Sequence, residues 1–139
     1  MQSYIWGLSL HFDVVIDDFD LGTWSKCQGL EVKFEVIRSP DGQADEFSLV
    51  QGRTSYSDIV LERPVTPASK GVSVWLSAIR RMPMKGSGVI VLKDAGNIPV
   101  MSWELTGVLP LSWRGPQLDV GISAVAMETL TLKHEGFLY

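Results

Sequence analysis

The sequence predicts a mainly β domain, a sandwich or barrel of antiparallel strands with one helix laid against it, on three observations. Apolar and polar residues alternate at period two in several separate stretches, as strands with one buried face require. Residues 72–82 switch to the helical spacing instead. Late in the chain Trp103 and Trp113 flank proline and glycine punctuation, and a long apolar stretch follows. At 139 residues the chain suits one domain, and residues 1–139 are read as a single unit.

The elements follow in order. Leu10, Phe12, Val14 and Ile16 share one face of a first strand, with His11, Asp13 and Asp17 opposite. Asp17-Asp18-x-Asp20 then reads as a solvated turn. Leu30, Val32, Phe34 and Val36 alternate with Glu31, Lys33 and Glu35, which predicts a second half-buried strand. Next comes an inserted loop or hairpin at about 38–56, whose Phe47 and Leu49 give it apolar surface to bury. A segment this long and irregular is expected to be completed by another chain.

Residues 59–62 and 88–93 are short apolar strands, and 100–106 joins the latter through a turn at Asp94-Ala-Gly-Asn97. Between them a helix at about 70–82 places Val72, Trp75, Leu76, Ile79 and Met82 on one face. Thr66-Pro67 leads into it, Gly71 is read as the start of its regular part, and Pro83 ends it. At this length the helix is marginal alone, so it must lay its Trp75 face across a sheet. Pro110-x-x-Trp113-x-Gly115-Pro116 is read as a corner, and residues 123–134 as the longest strand.

Composition excludes several functions. Hydrophobic residues make up 45% and charged residues 20%, so disorder is not expected. The net charge of −4 is no nucleic-acid footprint. The basic run Arg80-Arg81-x-x-x-Lys85 closes the helix, where cations suit the dipole. Cys27 is the only cysteine, which rules out an internal disulfide and reads as a small buried hydrophobe. Met1-Gln-Ser-Tyr-Ile-Trp6 lacks a basic start and a sustained apolar run, and no stretch approaches the roughly 18 apolar residues of a membrane span. Synthesis in the cytoplasm without a signal peptide, and no membrane anchor, are the expectations.

Reactive chemistry is sparse. Ser9, His11 and Asp13 lie on one short strand and cannot converge as a triad. Two histidines and one cysteine, without local spacing, fall short of the four ligands zinc prefers. The acidic turn lacks the calcium-loop pattern, and Lys85-Gly-Ser-Gly88 lacks the order of a phosphate-binding loop. No catalytic, cofactor-binding or metal-ligating residue is expected, and no enzyme. The five tryptophans read as core or subunit interface. A small-ligand-binding β-barrel is the alternative from another class.

Set in order, several motifs form a pattern. They are Phe12-x-Val14-x-Ile16-Asp17, Trp24-Ser-Lys-Cys27-Gln-Gly29-Leu30, Gly52-x-x-x-Tyr56-x-x-Ile59-Val60-Leu61-x-Arg63, Trp75, and Trp103 with Pro110-x-x-Trp113-x-Gly115-Pro116. Glu128-x-Leu130-x-Leu132-x-His134-Glu135-Gly136 completes the set. The chain thereby resembles the tail tube proteins of contractile phage tails and phage-derived injection systems, relatives of the type VI secretion tube protein. The resemblance implies two antiparallel sheets with a flanking helix, and six subunits per ring. Stacked rings would form a hollow inner tube, driven through a membrane by sheath contraction to deliver cargo or DNA.

The partners so implied are other copies of the chain, sheath subunits, baseplate or spike proteins, and a luminal cargo protein or DNA, all within a phage tail or injection particle. On the same reading Asp41, Gly42, Phe47 and Leu49 form a ring-stacking loop. Phe12, Cys27, Gly29, Leu30, Trp75, Trp103, Trp113, Gly115 and Pro116 build the architecture. The chain departs from the family pattern at Ser39-Pro40-Asp41-Gly42, where a glycine pair is common, and at Pro64 before Val65-Thr66. A single-ring adaptor joining tube to spike or baseplate is therefore the alternative within the family.

Overall fold

The structure, a computed structural model, describes residues 10–38, 49–121 and 125–138. Its elements are β1 (His11–Ile16), β2 (Phe19–Trp24), β3 (Lys26–Gln28), β4 (Val32–Arg38), β5 (Leu49–Tyr56), β6 (Ile59–Pro64), α1 (Ser69–Arg81), β7 (Gly86–Lys93), β8 (Pro99–Arg114) and β9 (Met127–Lys133). Seven strands form one antiparallel sheet in the order β2-β1-β7-β8-β9-β6-β3, and β4 and β5 form a separate hairpin.

The large sheet folds into two layers because β8 serves both. Its first part pairs with β7 from Pro99 to Val108, and its second part pairs with β9 from Leu109 to Arg114. At the changeover Gly107 has a φ of +61°, where other residues are strained. At the far side β2 passes into β3 through Ser25, whose N–H donates to Glu62 O at 3.1 Å. A single folded sheet thus encloses the core, with Trp24, Trp75, Ile16, Leu21, Ile59, Leu61, Ile90, Leu105, Leu130 and Leu132 fully buried. Each of these side chains stabilises the fold by about 1.5–3 kcal/mol.

Helix α1 lies across β2 with Val72 and Trp75 buried and Leu76 and Ile79 packed behind them. Met82, expected on that face, is 66% exposed, because the helix ends one residue earlier at Arg81. Gly71 does not mark the start of the helix, which begins at Ser69. It lets the helix approach β2: a Cβ there would stand 2.7 Å from Asp20 O. Thr66 caps the preceding turn, its Oγ1 accepting from Ala68 N at 3.2 Å.

Other expectations are corrected. The stretch from Leu30 to Val36 is not a half-buried strand of the body. Leu30 packs against the core, but from Val32 the chain becomes β4, paired among the described residues only with β5, and Phe34 and Val36 are 51% and 62% exposed. Within the segment read as an inserted loop or hairpin, residues 49–56 are strand. Pro110 is no corner but sits inside β8 opposite Leu132, tolerated because the register shifts between it and Ser112. The last strand runs only over Met127–Lys133. The turn before β8 matches its expectation, with Asn97 at φ +63° and Asp94 Oδ1 accepting from the N–H groups of Gly96 and Ile98.

Gly29 fixes where the hairpin leaves the body. Its φ is +100°, and a side chain there would overlap the Asp58 carbonyl. Gly29→Ala is expected to destabilise the protein by about 2–4 kcal/mol, read as a lower urea midpoint at unchanged slope; an unchanged midpoint would show that the entry into β4 is not constrained.

Candidate assembly surface

Two charged residues fix how the layers meet. Arg63 follows Ile59 and Leu61 on the inward phase of β6, and Glu128 shares the inward phase of β9 with Leu130 and Leu132. They are register partners, 3% and 0% exposed. Arg63 Nε donates to Glu128 Oε2 at 2.8 Å, and Nη1 donates to the carbonyls of Leu21 (2.7 Å) and Thr23 (3.1 Å). The guanidinium lies 3.8 Å over the Trp24 ring. Glu128 also accepts from Ser69 Oγ at the start of α1 and from Trp113 Nε1 at 2.8 Å. Burial pushes the Glu128 carboxyl up, but the hydrogen bonds from Ser69, Trp113 and Arg63 and the Arg63 charge outweigh it and hold it below its ordinary 4.5.

This cluster leaves the edge of β2 occupied, since Arg63 takes the Leu21 and Thr23 carbonyls. The first part of β8 is different. From Pro99 to Leu105 it pairs with β7 on one side and, among the described residues, with no strand on the other. Val100 and Met101 there are 57% and 55% exposed. An edge of this length invites another chain.

The hairpin is the second unpartnered feature. Its base is clamped: the Tyr56 ring meets Phe137 edge-on at 5.1 Å and His134 at 5.5 Å, and Ser57 Oγ donates to Glu31 at 2.9 Å. Beyond the base, Phe34 and Ile37 are half exposed. On β4, Glu35 and Ile37 share one face, both flanking Gly52, and Phe34 and Val36 share the other.

The residues singled out from sequence scatter over these features. Phe12, Leu30 and Trp103 pack against the core, and Trp75 is within it. Cys27 packs there too, and burial pushes its thiol up to about 11. Trp113 is half exposed at the sheet edge, with Gly115 beneath its ring and Pro116 half-buried beyond. Leu49 opens β5, whereas Asp41, Gly42 and Phe47 lie outside the described residues. His11 bonds Asn97 at 2.9 Å. On the outer face, Asp13 accepts from Lys93 (2.6 Å) and Thr23 (2.7 Å); burial opposes its ionisation, but these contacts hold its carboxyl low. Among the described residues no group of three or more His, Cys, Asp and Glu could hold a metal ion. No described helix is long and apolar enough to cross a membrane.

Arg63 and Glu128 had gone unnoticed in the sequence as a pair. Their signal was a charge on the inward phase of an otherwise apolar strand, visible in both.

A folded antiparallel sheet with one flanking helix, a projecting hairpin and an open strand edge is the setting in which the family comparison falls. The family model of the T4-like virus tail tube protein gp19 matches residues 8–138. The chain belongs to this tail tube family. No curated protein matches it in sequence. Its fold is similar to a chain of the PVC extracellular contractile injection system sheath–tube complex in the extended state, with a TM-score of 0.72 and 22% identity over 90% of this chain and 84% of that one. A chain of the anti-feeding prophage baseplate is similar at 0.68, with 23% identity over 94% and 91%. Hcp1 from Flavobacterium johnsoniae is more distant, at 0.50 and 11% identity over 89% of each chain. These neighbours share the fold of a chain whose family is that of a tail tube protein.

Glu128→Gln is expected to cost about 3–5 kcal/mol, because it leaves the Arg63 charge buried without its partner. The lowered Glu128 pKa gives a stability contribution present in full above 4.5 and lost as pH falls through the depressed value. Urea titrations from about pH 3 to 7 should show the native protein losing more stability on acidification than the variant. Parallel pH profiles would remove the pair from this account.

Proposed function

We propose that this tail tube subunit is the repeating unit of an inner tube, closing into six-membered rings that stack into a hollow conduit for a cargo protein or DNA. The observation that carries the reading is the hairpin, an apolar strand pair that the body of the same subunit leaves uncovered. Phe34 and Ile37 would each contribute about 1.5–3 kcal/mol if a neighbour covered them, repeated for every subunit of a ring. The open β8 edge suits the lateral contact: one subunit's edge meets a different surface of the next, and such a heterologous contact closes when its rotation does. Stacking is also heterologous but open, so it propagates.

Sheath subunits outside and baseplate or spike proteins at one end are the proposed partners, in a phage tail or injection particle. The assemblies to which the similar structures belong, a sheath–tube complex and a baseplate, support this assignment. The adaptor alternative uses the same ring contact and stops after one layer.

Deleting 38–56 would remove β5 and strand β4, so substitution is the sounder test. Phe34→Asp with Ile37→Asp should leave far-ultraviolet circular dichroism unchanged and Tm within a few degrees, since both residues are half exposed. Sedimentation should show the wild-type chain as long assemblies and the double variant as particles no larger than single rings. Wild-type particles that stop at one ring favour the adaptor. Undiminished tubes from the double variant would refute a stacking role for the hairpin.

A further inference from the structure

The inward phase of β9 carries a titratable group at each end. Glu128 at its start meets Arg63, and the phase continues through Leu130 and Leu132 to His134, which is 8% exposed. The His134 ring lies at the base of the hairpin. Its Nε2 stands 2.8 Å from the carbonyl of Ser57, one residue past the end of β5. A carbonyl only accepts, so Nε2 carries the hydrogen and Nδ1 of the neutral ring keeps a lone pair. Nδ1 is buried and has no hydrogen-bond partner among the described residues.

The surroundings of the ring are aromatic. Tyr56 meets it at 5.5 Å and Phe137 at 6.1 Å. Gly136 makes room for this group, since a Cβ there would stand 2.9 Å from the Tyr56 ring. The charged groups on the neighbouring segments are engaged elsewhere or turned to solvent. Glu31, ahead of β4, accepts from Ser57 Oγ at 2.9 Å and lies 3.8 Å from Lys33 Nζ. Asp58, ahead of β6, pairs with Lys133 at 3.7 Å, and Glu135 pairs with Lys85 at 2.7 Å. Arg53 of β5 and Glu104 of β8 are exposed. A proton added at Nδ1 would therefore create a buried donor with nothing to accept it and a positive charge among rings. Water can relieve both only where the hairpin base parts from the body.

We propose that His134 is a proton-operated latch on the hairpin. Neutral, it holds the Ser57 carbonyl and closes the base of β4 and β5 against Tyr56 and Phe137. Protonated, it gives up Ser57 and the base opens. The sign follows from linkage: the closed base excludes the proton and the open base accepts it, so the latch holds at higher pH and is lost as pH falls. The latch belongs to the single subunit and stands whether or not copies assemble.

Hydrogen exchange of the full chain, read by mass spectrometry and corrected for intrinsic rates, tests it. The pH is stepped between about 8 and 5, where histidine is the side chain that ordinarily changes charge. This range stays above 4.5, so Glu128 keeps its charge. The amides of 54–57, including the Ser57 N–H that donates to Glu31 O, should exchange roughly tenfold faster at the acid end. Those of Val89–Leu92 in β7 should not change. His134→Gln keeps an amide donor for Ser57 and takes up no proton, so its base should stay closed throughout. Should that variant misfold, imidazole nitrogen shifts of the wild-type chain serve instead. They should show hydrogen on Nε2 at the higher pH and uptake at Nδ1 in step with the faster exchange. Exchange at 54–57 that ignores pH, or that quickens equally in His134→Gln, would overturn the latch. So would equal opening of β7, which is unfolding of the whole domain, or a protonated ring with the base still closed.

Discussion

The buried pair of Arg63 and Glu128 is the constraint on which the remaining geometry hangs. Five segments reach it: β2 through the Leu21 and Thr23 carbonyls, β6 and β9 through the pair itself, α1 through Ser69, and β8 through Trp113. Desolvating two charges is costly, and well-packed apolar residues could give comparable stability. What they could not give is direction. A guanidinium with fixed donors admits one placement of β2 against β6 and one position for the first turn of α1, so the folded sheet has a defined closure.

That closure determines what is left outside. With the β2 edge engaged by Arg63, the first part of β8 is, among the described residues, one of the edges of the large sheet left open. With Gly29 turning the chain out at the Asp58 carbonyl, the next strand pair leaves the sheet and carries its apolar residues into solvent. A tube wall must be stiff within each subunit and adhesive between subunits. The satisfied polar cluster serves the first need, and the hairpin and strand edge serve the second. Neither requires a reactive group, which fits a chain whose charges go into the cluster, surface pairs such as Lys93 with Asp13, and a helix end.

Much of this was legible from periodicity. The β1 alternation, the helical spacing around Trp75 and the Asp94–Asn97 turn each correspond to a structural element, because local geometry decides them. β2 and β3 were harder: Phe19–Trp24 breaks its alternation at Gly22, where the chain bulges and φ is +82°. Pro110 suggested a corner, since a proline removes a ladder donor, and only the register shift beside it lets the strand continue. The β4 pattern was read correctly as a strand and wrongly as half-buried. Period two reports that a face is apolar, and it does not say which chain will cover it. Arg63 and Glu128 stood in plain view on inward phases, but their pairing is 65 residues apart in sequence and needs the fold.

The central claim is that these unpartnered surfaces are made for other copies of the same chain. Cryo-electron microscopy of the purified protein at high concentration tests it most directly. The account predicts sixfold rings stacked around an open lumen, with hairpin density bridging successive layers. A monodisperse monomer across salt and concentration, with neither rings nor stacks, would contradict it.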